Sequence, residues 1–159
     1  MKAPGATLGL FPGAPKNHMG YLDDYMSAAQ RKVVTPNSDT IYGVCFADLA
    51  GDPLEGSKTY RLTVPANAPV EQYWSASAYD RETHALIRGM SRPSLASNDT
   101  LVQKNADGSV DVYLGPKPPA GKQTNWVPTD PTRRFELLFR LYGPKKELFD
   151  KTWKLPDVE

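Results

Sequence analysis

Cysteine is almost missing. The 159 residues hold one, Cys45, which excludes an internal disulfide and any zinc cluster built on cysteines. Histidine is nearly as scarce. His18 and His84 stand far apart in the chain, which argues against a histidine-rich metal site. No sign of charge dominates: 19 basic and 18 acidic residues leave a net charge of +1, so nothing electrostatic calls for a nucleic-acid partner. No apolar run approaches the ~20 residues of a membrane helix, so no membrane span is expected. The opening stretch MKAPGATLGLFPGAP is interrupted by Pro and Gly and reads poorly as a signal peptide. There is no G-x-S-x-G nucleophile elbow, no phosphate-binding glycine loop and no dinucleotide fingerprint. No metal or cofactor is expected.

Proline and glycine are plentiful. Fifteen prolines and twelve glycines fall between short apolar runs, the pattern of a turn-rich β protein of one ordinary domain, residues 1–159. The clearest run is EQYWSASAYDRET, Glu71–Thr83. In a strand, side chains alternate faces. Trp74, Ala76 and Ala78 would share an apolar face, and Tyr73, Ser75, Ser77 and Tyr79 an aromatic, hydroxylated one. Asp80–Thr83 supplies turn chemistry. The run His84–Met90 then predicts the second arm of a hairpin.

Residues 1–16 read as an irregular arm. Met19, Leu22, Met26 and Ala29 recur at helical spacing and predict a helix over 17–32. Residues 33–53 hold a polar cluster, Asn37–Thr40, and a first strand, Ile41–Leu49. Thr59–Val64 predicts a strand with Tyr60, Leu62 and Val64 inward. Leu101–Lys104 and Val110–Leu114 flank an Asn-Ala-Asp-Gly turn. Phe135–Tyr142 predicts the last strand, with Phe135, Leu137, Phe139 and Leu141 on one side. Pro144 can open a short helix reaching Trp153. Together these predict a mainly β, antiparallel two-sheet sandwich or jelly roll, with one short helix at each end.

Arg140 and Tyr142 fall on the less apolar face of the last strand. A guanidinium there needs a partner, and Asp80 or Asp39 would serve; the pair reads either as architecture or as a carboxylate-recognising fork. Asp39 reads as a turn residue or as an acid at a cleft rim. Trp126, after Asn125 in a Pro-flanked loop, reads as core or as a platform for a sugar or aromatic ring. His84 could meet Ser75 across the hairpin, a weak signal for a hydrolase.

Two sets of segments carry a family resemblance. LEGSKTYRLTVPANAPVEQYWSASAYDRETHALI, NADGSVDVYLGPKPPAGKQTNW and RFELLFRLYGPKKELFDKTWKLPDVE, within residues 54–159, resemble domain of unknown function 1214. The stretch RKVVTPNSDTIYGVCFADL, residues 31–49, resembles the opening motif of domain of unknown function 1254. The two families usually occur in tandem in longer bacterial proteins. The resemblance implies a β-sandwich or jelly roll, often in exported or envelope-associated proteins, and implies no known reaction.

Three functions remain open. One is a small-ligand-binding sandwich for an organic or carbohydrate-like ligand, using Tyr73, Ser75, Tyr79, Asn125, Trp126, Arg140 and Tyr142. Another is a hydrolase or lyase using Asp39 or Asp80 with Arg140 and Tyr79. The last is a structural module that forms homo-oligomers.

Overall fold

The computed structural model describes residues 30–33, 40–150 and 152–159. Its strands are β1 (Gln30–Val33), β2 (Thr40–Cys45), β3 (Tyr60–Val64), β4 (Val70–Asp80), β5 (Ser94–Ala96), β6 (Val110–Gly115), β7 (Trp126–Pro128) and β8 (Phe135–Pro144). A single turn of helix, α1 (Lys146–Phe149), follows β8. The strands form a five-stranded sheet in the order β1-β2-β8-β4-β5 and a three-stranded sheet in the order β3-β6-β7.

Every pairing in the larger sheet is antiparallel. In the smaller sheet β3 and β6 are antiparallel, while β6 and β7 run parallel. That parallel pair is the one departure from the all-antiparallel expectation. It arises because the Pro-rich connection and the 3₁₀ turn Gln123–Asn125 carry the chain back along β6, so that β7 begins opposite Tyr113 and runs in the same direction.

The core lies between the sheets. Trp74, Ala76 and Ala78 of β4, Leu95 of β5 and Phe135, Leu137, Phe139 and Leu141 of β8 line it from one side. Tyr60, Leu62 and Val64 of β3, Val112 and Leu114 of β6, and Val127 of β7 line it from the other. Trp74 stacks on Phe139 at 5.5 Å between ring centroids, and the two alanines leave room for its indole. Burying such a ring contributes about 2–3 kcal/mol. The C-terminal segment closes one edge. Arg61 and Glu159 exchange backbone hydrogen bonds of 2.7 and 2.9 Å, and Trp153, Leu155 and Val158 are buried beneath. The outer edge of β3 is thus covered rather than left open to pairing.

The two-sheet, mainly β architecture expected from the sequence is what the chain adopts. Several elements differ in extent. Of the helix expected over 17–32, residues 17–29 lie outside the described residues, and Gln30–Lys32 belong to β1. Pairing with β2 decides their conformation, an influence that helical spacing does not register. The second hairpin arm is reduced to one bridge, Tyr79 to Leu86, because His84 (φ 52°) and Gly89 (φ 74°) take left-handed backbone that a strand cannot continue through. Trp126–Pro128 is a strand, not a loop, and Ser94–Ala96 is a short edge strand. Leu101–Lys104 forms no strand, although its turn closes as expected through Gly108 N–H to Asn105 O at 2.9 Å.

Candidate functional site

The face of the larger sheet turned away from the core holds most of the polar residues singled out in the sequence. Strand register puts them side by side: Tyr73 opposite Tyr142, Ser75 opposite Arg140, Ser77 opposite Leu138 and Tyr79 opposite Glu136. On the far side of β8, Tyr42 is opposite Arg140 and Val44 opposite Leu138. Across β4, Ser77 is opposite Ser94.

Arg140 is half-buried in the middle of this row. One terminal nitrogen donates to the Tyr79 hydroxyl at 2.8 Å, and the other makes a long contact of 3.4 Å with Ser77 Oγ. Its guanidinium carbon lies 5.6 Å from the Tyr79 ring centroid. Ser77 Oγ donates to Ser94 Oγ at 2.9 Å. At the upper end, the Tyr73 and Tyr142 rings stack with centroids 4.2 Å apart and an interplanar angle of 21°. Burial raises the Tyr73 phenol, and the Tyr142 phenol beside it adds to the effect.

Arg140's partners are unlike those of the other paired arginines. Arg81 meets Glu136 at 3.2 Å, Arg92 meets Asp99 at 2.6 Å and Arg61 meets Glu159. Arg133 meets Asp80. Among the described residues Arg140 has hydroxyls and no carboxylate.

The expected pairing of Arg140 with Asp80 does not form. Asp80 is opposite Phe135, on the core side of the sheet, so the two side chains leave on opposite faces. Asp80 is instead saturated. Its Oδ1 accepts from Glu82 N–H at 3.0 Å, Thr83 N–H at 2.9 Å and Arg133 Nη2 at 3.0 Å, and its Oδ2 accepts from Arg133 Nε. The Arg133 guanidinium first, then the turn N–H groups, hold its carboxyl well below the usual carboxylate range against the opposing effect of burial. Asp80 and Arg133 line a cleft of about 390 Å³ with Thr83, Leu86, Arg88 and Asp130. This cleft lies at the end of β4, not at Arg140.

Asn125 ends the 3₁₀ turn and Trp126 opens β7 of the smaller sheet, and among the described residues no hydrogen bond joins either to Arg140 or Tyr79. The Asn125 amide is fully engaged with backbone: Oδ1 accepts from Gln103 N–H at 2.8 Å, and Nδ2 donates to Gln103 O at 2.7 Å and Asp111 O at 3.0 Å. The Trp126 indole N–H donates to Gly115 O at 2.9 Å. Ser75 is buried in the row beside Arg140. Asp39 lies outside the described residues.

Sequence reasoning overlooked Glu136. Its carboxylate is buried at the lower end of the row, where His84 Nδ1 approaches both oxygens at 3.0 and 3.2 Å and Arg81 approaches one at 3.2 Å. Arg81 also lies over the Phe46 ring at 4.3 Å. The signal was an acid inside the apolar run FELLF, on the same strand face as Arg140. His84, for which the sequence offered Ser75 only as a weak partner across the hairpin, turns to Glu136.

The family model described as Protein of unknown function (DUF1214) matches residues 39–146. The chain belongs to that family. The DUF1214 match begins earlier than the resemblance read from the sequence, taking in β2, and ends at residue 146 rather than 159. Two solved structures share its fold. The VPA0106 protein from Vibrio parahaemolyticus superposes with a TM-score of 0.67 at 21% identity, over 79% of this chain and 31% of that one. A putative uncharacterized protein from Burkholderia cenocepacia gives a TM-score of 0.51 at 20% identity, over 89% of this chain and 36% of that one. The chain therefore spans about a third of the length of each. No curated protein matches it.

Proposed function

We propose that the protein binds a small organic acid on the outer face of its five-stranded sheet, with Arg140 as the anion anchor. The observation that carries this reading is the pairing of a half-buried guanidinium with two neutral hydroxyls. A charge withdrawn from water is stabilised by an opposite charge, and a carboxylate matches the planar fork of arginine. Tyr79, Ser75 and the Tyr73–Tyr142 stack border the position and offer hydroxyls and ring faces to the rest of the ligand. An organic acid is favoured over a carbohydrate, because Trp126, the ring proposed for sugar stacking, has its N–H engaged with Gly115 on the other sheet. The resemblance of residues 31–49 to domain of unknown function 1254 supports action beside a second domain in a longer bacterial protein.

Calorimetric titration with adipate and benzoate, and with their uncharged amides, tests the proposal. Saturable binding of an acid that Arg140→Gln abolishes is the expected result. Equal binding of acid and amide, or undiminished binding by Arg140→Gln, overturns it.

A further inference from the structure

Glu136 and His84 meet at the lower end of the same face, Tyr79 lies opposite Glu136 in the strand register, and anion binding at Arg140 uses neither Glu136 nor His84. Glu136 is a buried carboxylate, an acceptor only, and it lies against His84 Nδ1. That contact puts the ring proton on Nδ1 and leaves the lone pair of a neutral imidazole on Nε2. Nε2 has no partner among the described residues, and the His84 side chain is about one-third exposed. The backbone of His84 stands at φ 52°, a left-handed conformation that a non-glycine residue holds only at a cost. Strain of this kind, at a residue clamped by a buried acid, marks a side chain whose aim is fixed.

Tyr79 is the third group. It lies opposite Glu136, and its hydroxyl oxygen accepts from Arg140. Its own proton therefore has no acceptor among the described residues and is free to point at a ligand. Arg140 leans toward this end. Its guanidinium reaches Ser77, opposite Leu138, so it sits near the level of Leu138, two residues from Glu136. At about 3.4 Å per residue, that leaves about 7 Å between the cation and the level of the Glu136–His84 pair.

We propose that this face is a hydrolytic site for an acyl group carried on a short acid, with His84 as general base, Glu136 as its positioning residue and Tyr79 as oxyanion donor. The inference rests on the Arg140 reading for the substrate's carboxylate. No serine, threonine or cysteine side chain hydrogen-bonds His84 among the described residues, so water is the nucleophile. His84 Nε2 takes a proton from water as the water oxygen bonds to the acyl carbon. The carbonyl electron pair moves onto oxygen, where Tyr79 O–H donates. When the C=O re-forms, the ester C–O bond breaks, and the departing alkoxide recovers the proton from the imidazolium.

Mono-4-nitrophenyl adipate carries both features, and released 4-nitrophenolate is the readout. His84→Gly is the main variant, because glycine accepts φ 52° without strain. Expected results are turnover by the native protein, a loss of about 100-fold in kcat for His84→Gly, and recovery on adding free imidazole. Glu136→Gln should lower kcat with KM unchanged. Native turnover no faster than that of His84→Gly, or loss without imidazole rescue, overturns the proposal. If Arg140→Gln leaves KM unchanged while His84→Gly is inactive and rescued, the anion anchor fails and the hydrolytic site stands. If Arg140→Gln abolishes adipate binding but no turnover depends on His84, the anchor stands and the hydrolytic site fails.

Discussion

Arg133 closes a fork on Asp80. Its Nη2 donates to Oδ1 at 3.0 Å and its Nε donates to Oδ2, tying the loop before β8 to the last residue of β4. The same carboxylate collects the backbone N–H groups of Glu82 and Thr83, so one side chain fixes the turn and docks the neighbouring loop. It is the most heavily engaged acid among the described residues, and its place is at the rim of the cleft, away from Arg140.

This fork sets a pH dependence. Asp80's folded value is depressed, so its contribution is fully present above the ordinary carboxylate value of about 3.9 and is lost as pH falls toward the folded value. Urea midpoints of the native protein should fall below about pH 4. Asp80→Asn should lower stability by about 2 kcal/mol at pH 7 and flatten that acid limb. An unchanged limb in the variant would place the acid sensitivity elsewhere.

Gly56 fits against the same loop with no room to spare. A Cβ there would stand 1.9 Å from Asp130 O, while the Gly56 N–H donates to Arg133 O at 2.8 Å. Both contacts are to backbone, which cannot swing aside like a side chain. Gly56→Ala should therefore push the 129–133 loop outward, weaken the Asp80 fork and cost about 2–3 kcal/mol. Chemical denaturation measures the cost, and hydrogen exchange at Arg133 and Arg134 reports the displacement.

Asn125 behaves as a clamp. Removing its amide leaves Gln103 N–H, Gln103 O and Asp111 O without their partner inside the protein. Asn125→Ala should cost about 2–3 kcal/mol and leave acid binding at Arg140 intact in the fraction that stays folded. Loss of binding at full stability would return Asn125 to the ligand site.

Cys45 should be inert. Burial pushes its thiol up to about 12, outweighing the hydrogen bond it donates to Ala47 O at 3.0 Å. A disulfide reagent such as Ellman's at pH 8 should label the native protein only as fast as it unfolds, and label it at once in strong denaturant. Rapid labelling of the folded protein would show that β2 opens locally.

The sequence by itself determined β3, β4 and β8 and the faces they bury. Alternation at Tyr60–Val64, Trp74–Ala78 and Phe135–Leu141 is a local property of the chain, and each dry face is buried as its pattern requires. Tertiary structure decided which faces meet. In the pairing of β4 with β8, Ser75 lies opposite Arg140 and Asp80 opposite Phe135. A slip of one residue would carry Arg140 to the other side, and no property of either strand alone excludes that slip. The packed core excludes it, because a one-residue slip would take Phe139 off the face on which Trp74 stacks against it. The same constraint turns Asp80 toward Arg133, leaves Arg140 to Tyr79 and Ser77, and gives His84 its carboxylate at Glu136. Those partnerships span 52 to 63 positions in sequence, so they exist only once the sheet has formed.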